Sequence, residues 1–214
     1  MSESRPRGRP SAQASREVCQ ALLDAAEDLL QDKQFRDITV REIATLANVN
    51  PAMINYYFNS KEGLFVALVE FLFTEWERRI DAIVRDIPGM ADSPTGALVE
   101  LVDDVFFRHA PILMLLTREL AQERSGIQTV YREKLATRVT TSIRRFIEQA
   151  AKHGFYRKDM DLRHATLTLA ALAIHPVSVE PESLAEAYGI DTAELRSPQW
   201  LALLQENLDR VFTP

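Results

Sequence analysis

Two helix-start signals lie so close together that only one tight turn fits between them. No other feature of this chain restricts its fold as much. The first is Thr39 with Glu42, a T-x-x-E capping box. The threonine hydroxyl takes a free amide of the first helical turn, and the carboxylate reaches back to the amide of the cap. Ile38 and Ile43 flank that cap at the positions where apolar residues staple a helix start. The helix this predicts runs only to about Ala47. Asn48 follows, a residue that tolerates the left-handed conformation of a tight turn. Val49-Asn50-Pro51 then repeats the grammar: Asn50 can cap, Pro51 suits a first helical position, and Val49 with Ile54 forms a second staple. Ala44 is small where the second helix must pass closest. Two short helices, one turn and a small residue at the crossing predict a helix-turn-helix.

The second helix has an unusual composition. In "VNPAMINYYFNSKEGLF", Val49 to Phe65, three aromatics stand side by side among amides, with almost no charge in the first ten residues. Helical spacing puts Ile54 and Phe58 on one face, which turns inward. Ala52, Asn55, Tyr56 and Asn59 then face outward, with Met53 and Tyr57 on the flank. A DNA major groove suits this set. Asparagine pairs with an adenine edge, Ala or Met touches a thymine methyl, and tyrosine hydroxyls reach phosphates. Ser60 caps the next helix, and Lys61 in its first turn stands where a helix N-terminus and a cation would hold a phosphate.

Net charge is −6, which by itself argues against a nucleic-acid partner. Its distribution argues otherwise. Residues 1–61 hold eight Lys/Arg and eight Asp/Glu, so the deficit lies wholly in residues 62–214. Arg5, Arg7, Arg9 and Arg16 face only Glu3 within residues 1–16. A basic tip on an acidic body orients an approach to DNA. Within that tip "PRGRP", Pro6 to Pro10, has the core of an AT-hook. Gly8 would let the backbone lie in a narrow minor groove, with Arg7 and Arg9 attracted by its potential. A basic tail with no particular partner fits these five residues equally well.

The stretch "ITVREIATLANVNPAMINYYFNSKEGLFVALVE", Ile38 to Glu70, resembles the DNA-binding signature of the TetR/AcrR family of bacterial transcriptional regulators. The resemblance is strong over about residues 14–70 and architectural beyond. It implies an all-α fold: a three-helix, homeodomain-like helix-turn-helix head, followed by a helical bundle, about nine helices in all. It divides the chain into a basic arm (1–13), a DNA-binding domain (14–61) and an effector-binding and dimerisation domain (62–214). By position it implies DNA contacts from Thr39, Arg41, Asn50, Ala52, Met53, Asn55, Tyr56, Tyr57 and Lys61. Two residues depart from the family pattern. Asn48 stands where glycine is usual, and Asn55 stands where many relatives carry tyrosine, so the bases read should differ.

Further along, helical periodicity recurs over Ala14–Gln31, Leu64–Arg85, Thr95–His109, Pro111–Gln122, Ile127–His153, Asp161–His175 and Pro198–Phe212. Phe35 is expected to fold back onto the core. "TLTLAALAI", Thr166 to Ile174, is rich in alanine, and Trp200, Leu204, Leu208 and Val211 form a stripe on the last helix. Both could be interior to one subunit. The resemblance implies instead a homodimer through a four-helix bundle of these two helices, set on a palindromic operator. It also implies a mostly apolar small-molecule effector, with Trp76, Phe106, Phe107, His109, Met114, Arg118, Tyr131 and His175 as candidate lining.

Two other functions compete with this one. An architectural binder of A·T-rich DNA would rely on the arm and show steep salt dependence. A helical metalloenzyme would need Glu-x-x-His pairs, and the four histidines supply none. His164 and His175 share a face but lie ~16 Å apart along a helix, too far for one metal. No phosphate loop, dinucleotide glycine pattern or nucleophile elbow occurs. The expectation is therefore a regulator with no catalytic residue, metal or cofactor. One cysteine allows no internal disulfide, and the longest apolar run falls far short of the ~20 residues of a membrane helix. A cytoplasmic protein without membrane contact is expected.

Overall fold

The computed structural model describes residues 12–122 and 125–214, and among them every regular element is helical. The chain forms two compact units, Met1–Leu68 and Val69–Pro214. In the first, α1 (Ala12–Asp32), α2 (Val40–Leu46), α3 (Ala52–Phe58) and the start of α4 (Lys61–Asp86) surround one small core. Leu22, Ala25, Ala26, Ile38, Ile43, Ala44, Ile54, Leu64, Phe65 and Leu68 are buried there. Each full burial of a Leu, Ile or Phe stabilises the head by about 1.5–3 kcal/mol. Phe35 does return to this core, meeting Phe65 edge-on at 4.9 Å between ring centroids. The unit extends past Lys61 because Leu64, Phe65 and Leu68 of α4 complete that core.

The second unit holds the rest of α4 and α5 (Thr95–Val102), α6 (Ala110–Leu120), α7 (Gly126–Val130), α8 (Ala136–Lys152), α9 (Leu162–Ser178), α10 (Pro181–Tyr188) and α11 (Pro198–Phe212). A π-helical turn, Asp103–Phe107, extends α5, and another, Tyr131–Leu135, joins α7 to α8 in one rod. The expected helix Ile127–His153 is that rod. α8 packs on α9, α11 on α5, and α6 on both α7 and α9. On the rim of α4 and α8, Arg138 pairs with Glu77 and Arg145 with Asp81.

The structure departs from the sequence-based expectation in three places here. α10 was not expected. It has only Leu184 buried, so it shows no periodic apolar face, although Pro181 opens it and left-handed Gly189 closes it. α9 continues past Pro176 to Ser178. On α11 the buried stripe is Leu204, Leu208 and Phe212, while Trp200 and Val211 are only half-buried.

A polar knot ties three segments of the second unit together. Thr95 Oγ1 donates to Asp209 Oδ1 at 2.6 Å and lies 3.1 Å from the Tyr156 hydroxyl. Tyr156 is buried and stacks on Phe212 at 5.2 Å. Burial pushes its phenol well above the usual tyrosine value. The Arg157 amide donates to the Phe212 carbonyl at 2.8 Å, which fixes the end of α11.

Candidate nucleic-acid interface

Short-range chemistry builds the helix-turn-helix, and each signal in the sequence finds its partner. The Glu42 amide donates to Thr39 Oγ1 at 3.2 Å, and the Thr39 amide donates to Glu42 Oε2 at 2.8 Å. The capping box is therefore closed on both sides. Lys33 adds an ion pair to the same carboxylate. Lys33 first, and the Thr39 bonds next, hold the Glu42 carboxyl down at about 2. α2 ends in a Schellman turn: the Val49 amide reaches the Ala44 carbonyl at 2.9 Å and the Asn48 amide reaches that of Thr45 at 3.1 Å. Asn48 has φ 53°, so asparagine fills the left-handed position itself.

α3 starts one residue later than expected, at Ala52, with Pro51 before it. Asn50 still caps the turn, its Oδ1 accepting from the Ala52 amide at 2.8 Å. Asn59, at φ 66°, closes the helix, and Ser60 Oγ accepts from the Gly63 amide at 2.9 Å to open α4. The sequence reading missed Gly63. A Cβ there would stand 2.0 Å from the Phe58 carbonyl oxygen. Only glycine lets the end of α3 abut the start of α4 so closely.

The faces divide as the spacing predicts. Ile54 is fully buried and Phe58 half-buried, while Ala52, Asn55, Tyr56 and Asn59 are exposed. Tyr56 is 60% exposed and meets half-buried Tyr57 edge-on at 4.8 Å. Met53 is half-buried on the flank. Arg41, Thr45 and Asn50 are exposed nearby, and so is Leu46, an apolar residue for which no outward role was expected. The Thr39 hydroxyl is already engaged, donating to Glu42 Oε2 at 2.7 Å.

Lys61 is engaged within the head. It is not a free cation beside the recognition helix. Its ammonium donates to the carbonyls of Phe35 and Ile38, each at 2.8 Å, and stands 4.5 Å from the centroid of the Phe35 ring. Burial lowers its pKa from the usual lysine value, opposed by nearby Asp37. Two of its three protons bind the loop that leads into α2, so its first task is to hold the head together. The signal was Phe35, an aromatic in a loop that needs its carbonyls satisfied. Arg7, Gly8 and Arg9 lie outside the described residues.

Residues 22–68 match the family model described as bacterial regulatory proteins, tetR family. Residues 22–68 are a TetR-family DNA-binding domain. The chain is 28% identical over 190 residues to the HTH-type transcriptional repressor NicS of Pseudomonas putida, covering 86% of this chain and 87% of NicS. Its fold is shared with FadR of Bacillus subtilis, solved with stearoyl-CoA, at a TM-score of 0.62 and 18% identity over 86% of this chain and 96% of FadR. It is also shared with SmeT, solved with triclosan, at a TM-score of 0.68 and 16% identity over 92% of each chain.

In the second unit of this chain the candidate effector residues separate. Trp76 and Phe106 are fully buried and stacked at 4.6 Å, and Phe73 lies 6.3 Å from Phe106 and 5.8 Å from Tyr131. Trp76 Nε1 donates to Ser142 Oγ at 3.0 Å. Burial raises the Tyr131 phenol. Phe106 and Tyr131 each sit in a π turn, a feature frequent at functional sites. Phe107 is buried, and His109 and Met114 are half-buried. Arg118 is instead held by Glu180 at 2.8 Å near the surface. His175 is exposed on α9, away from any interior lining. Both were placed near apolar runs by sequence, and the structure turns them outward because their own helices bury the opposite face. Among the described residues no group of three or more His, Cys, Asp or Glu could hold a metal, and no helix is long and apolar enough to cross a membrane.

Proposed function

We propose that this chain is a repressor that binds a palindromic operator as a homodimer and leaves it when a small apolar effector enters the second unit. One observation carries the reading: α3 buries Ile54 and presents Ala52, Asn55 and Tyr56 together to solvent. Amides and a phenol can pair with base edges there, and a methyl can touch that of thymine. Arg41, Asn50, Met53 and Tyr57 border this face and complete the proposed contact set, with Thr39 fixing the entry of α2. The arm with Arg7, Gly8 and Arg9 would add minor-groove contacts. NicS is named a repressor, which supports the sign of regulation. FadR was solved with stearoyl-CoA, which carries a long apolar acyl chain, and SmeT with triclosan, which supports an effector with a large apolar part. The stacked cluster of Trp76, Phe106 and Tyr131, with Phe107, His109 and Met114 beside it, is where such a molecule would enter. A regulator of this kind would work in the cytoplasm and would need no catalytic group.

Selection of bound fragments from random DNA tests the proposal. Enrichment of one palindrome with two half-sites supports it; recovery of A·T-rich sequence without symmetry overturns it in favour of an architectural binder. Deleting residues 1–12 should weaken the selected site without abolishing it.

A further inference from the structure

The outward face of α9 has a symmetric composition. His164, Leu167, Ala171 and His175 are exposed at spacings of three, four and four, while Ala165, Thr166, Leu169, Ala173 and Val177 are buried behind them. Leu167 is 69% exposed, and Leu203 of α11, the helix packed beside α9, is 47% exposed. Large apolar groups so open to water on two adjoining helices call for a cover. His164, half-buried Thr168, Ala171 and His175 stand at spacings of four, three and four, which read the same from either end of α9. An isologous contact requires this self-complementarity, since residue i of one copy meets residue j of the other and j meets i.

When α9 packs antiparallel on itself about a dyad at the middle of this stripe, between Leu169 and Ala170, every facing pair of positions has the same sum. His164 then faces His175 of the second copy, Ala171 faces Thr168, and Leu167 faces Leu172. The two histidines of one chain are ~16 Å apart along the helix, so one copy cannot bring them to one ion. The second copy can, twice. At the shallow ~20° crossing of a four-helix bundle, helices stay ~8–10 Å apart and imidazoles from both sides meet between them.

We infer that the dimer carries two zinc-class metal sites, one at each end of the α9 contact, each formed by His164 of one copy and His175 of the other. The inference rests on the dimer reading above. Imidazole suits divalent zinc, copper and nickel, with metal–nitrogen distances of ~2.0–2.1 Å and water in the remaining positions. Asp161 contributes no third ligand, since its carboxylate caps α9 through the Arg163 and His164 amides and also holds the Arg163 guanidinium. A metal that binds only the dimer tightens it by mass action. With two sites and zinc at ten times its dissociation constant, the dimer dissociation constant falls about a hundredfold.

The test measures dimer dissociation by sedimentation and bound zinc by elemental analysis of the full chain, with zinc chloride as the only added metal. Two zinc ions per dimer and the hundredfold tightening support the site. His164→Gln and His175→Gln should each abolish both ions, because each site takes one residue from each position. Mixing the two variants should restore one zinc per heterodimer, in which one intact His164 faces one intact His175. If either single variant retains the zinc of the parent, the pairing is wrong. A dimer that binds no zinc overturns the site alone, whereas a chain that stays monomeric at every concentration overturns the dimer reading and the site with it.

Discussion

The ammonium of Lys61 lies over the ring of Phe35 at 4.5 Å and donates to the carbonyl oxygen of that same residue at 2.8 Å. One lysine at the start of α4 thus closes the loop between α1 and α2 from both its apolar and its polar side. The helix-turn-helix is held from outside its own span, and DNA binding inherits that dependence.

Lys61→Met should keep the apolar stem over Phe35 while orphaning the carbonyls of Phe35 and Ile38. Denaturant unfolding should show a loss of about 1–3 kcal/mol. The salt dependence of operator binding separates the two roles of the residue. A phosphate contact would take ~0.9 off the slope of log affinity against log salt. A lysine that acts within the head leaves that slope nearly unchanged.

Gly63→Ala should be the most damaging small change in the head. The new methyl would meet the Phe58 carbonyl oxygen at 2.0 Å, so α3 or α4 has to move. A cost of about 1–3 kcal/mol is expected from overpacking. Amide exchange should report it first in α3, together with loss of operator binding. Gly89→Ala, where nothing lies within 4 Å, is the control and should change neither.

Asn55→Ala should leave the fold intact, since Asn55 is exposed and Ile54 carries the packing. Its effect belongs on specificity. Competition with operators altered one base pair at a time should show discrimination at one position relaxed by about 1–3 kcal/mol. Uniform weakening across all sequences would remove Asn55 from base reading.

The acid limb of stability should depend on Glu42. Its folded carboxyl titrates at about 2, below its ordinary 4.5, because Lys33 and the Thr39 cap favour the charged form. A depressed carboxylate stabilises the head fully above the unfolded value and loses that contribution as pH falls from 4.5 through 2. Glu42→Gln should flatten this limb in a pH series of denaturation midpoints. Lys33→Met should flatten it partially, since the Thr39 bonds remain.

Ser142→Ala should orphan the indole nitrogen of buried Trp76, which now donates to Ser142 Oγ at 3.0 Å. A loss of about 1–3 kcal/mol is expected. Followed by fluorescence in a Trp200→Phe background, the variant should also shift Trp76 emission, and unchanged emission would place the hydrogen bond in doubt.

The chain announced by itself whatever depends on residues three to five apart. Thr39 with Glu42, Asn48 in its left-handed turn, Asn50 as a cap and the inward pair Ile54 and Phe58 all follow from the helical repeat and from unsatisfied amides at helix ends, and the structure repeats them. α10 escaped because Leu184 alone is buried, so no periodic stripe marked it. Tertiary structure decided what required a partner from far along the chain. Lys61 read as a phosphate contact alone until Phe35 and Ile38 came beside it, Gly63 looked incidental until Phe58 did, and Arg118 looked interior until Glu180 claimed it. His164 and His175 shared a face by arithmetic, but only packing showed that this face was the one left in water. Helical geometry writes local contacts into sequence spacing, whereas distant contacts depend on how whole helices bury their apolar sides, and no short stretch of residues contains that.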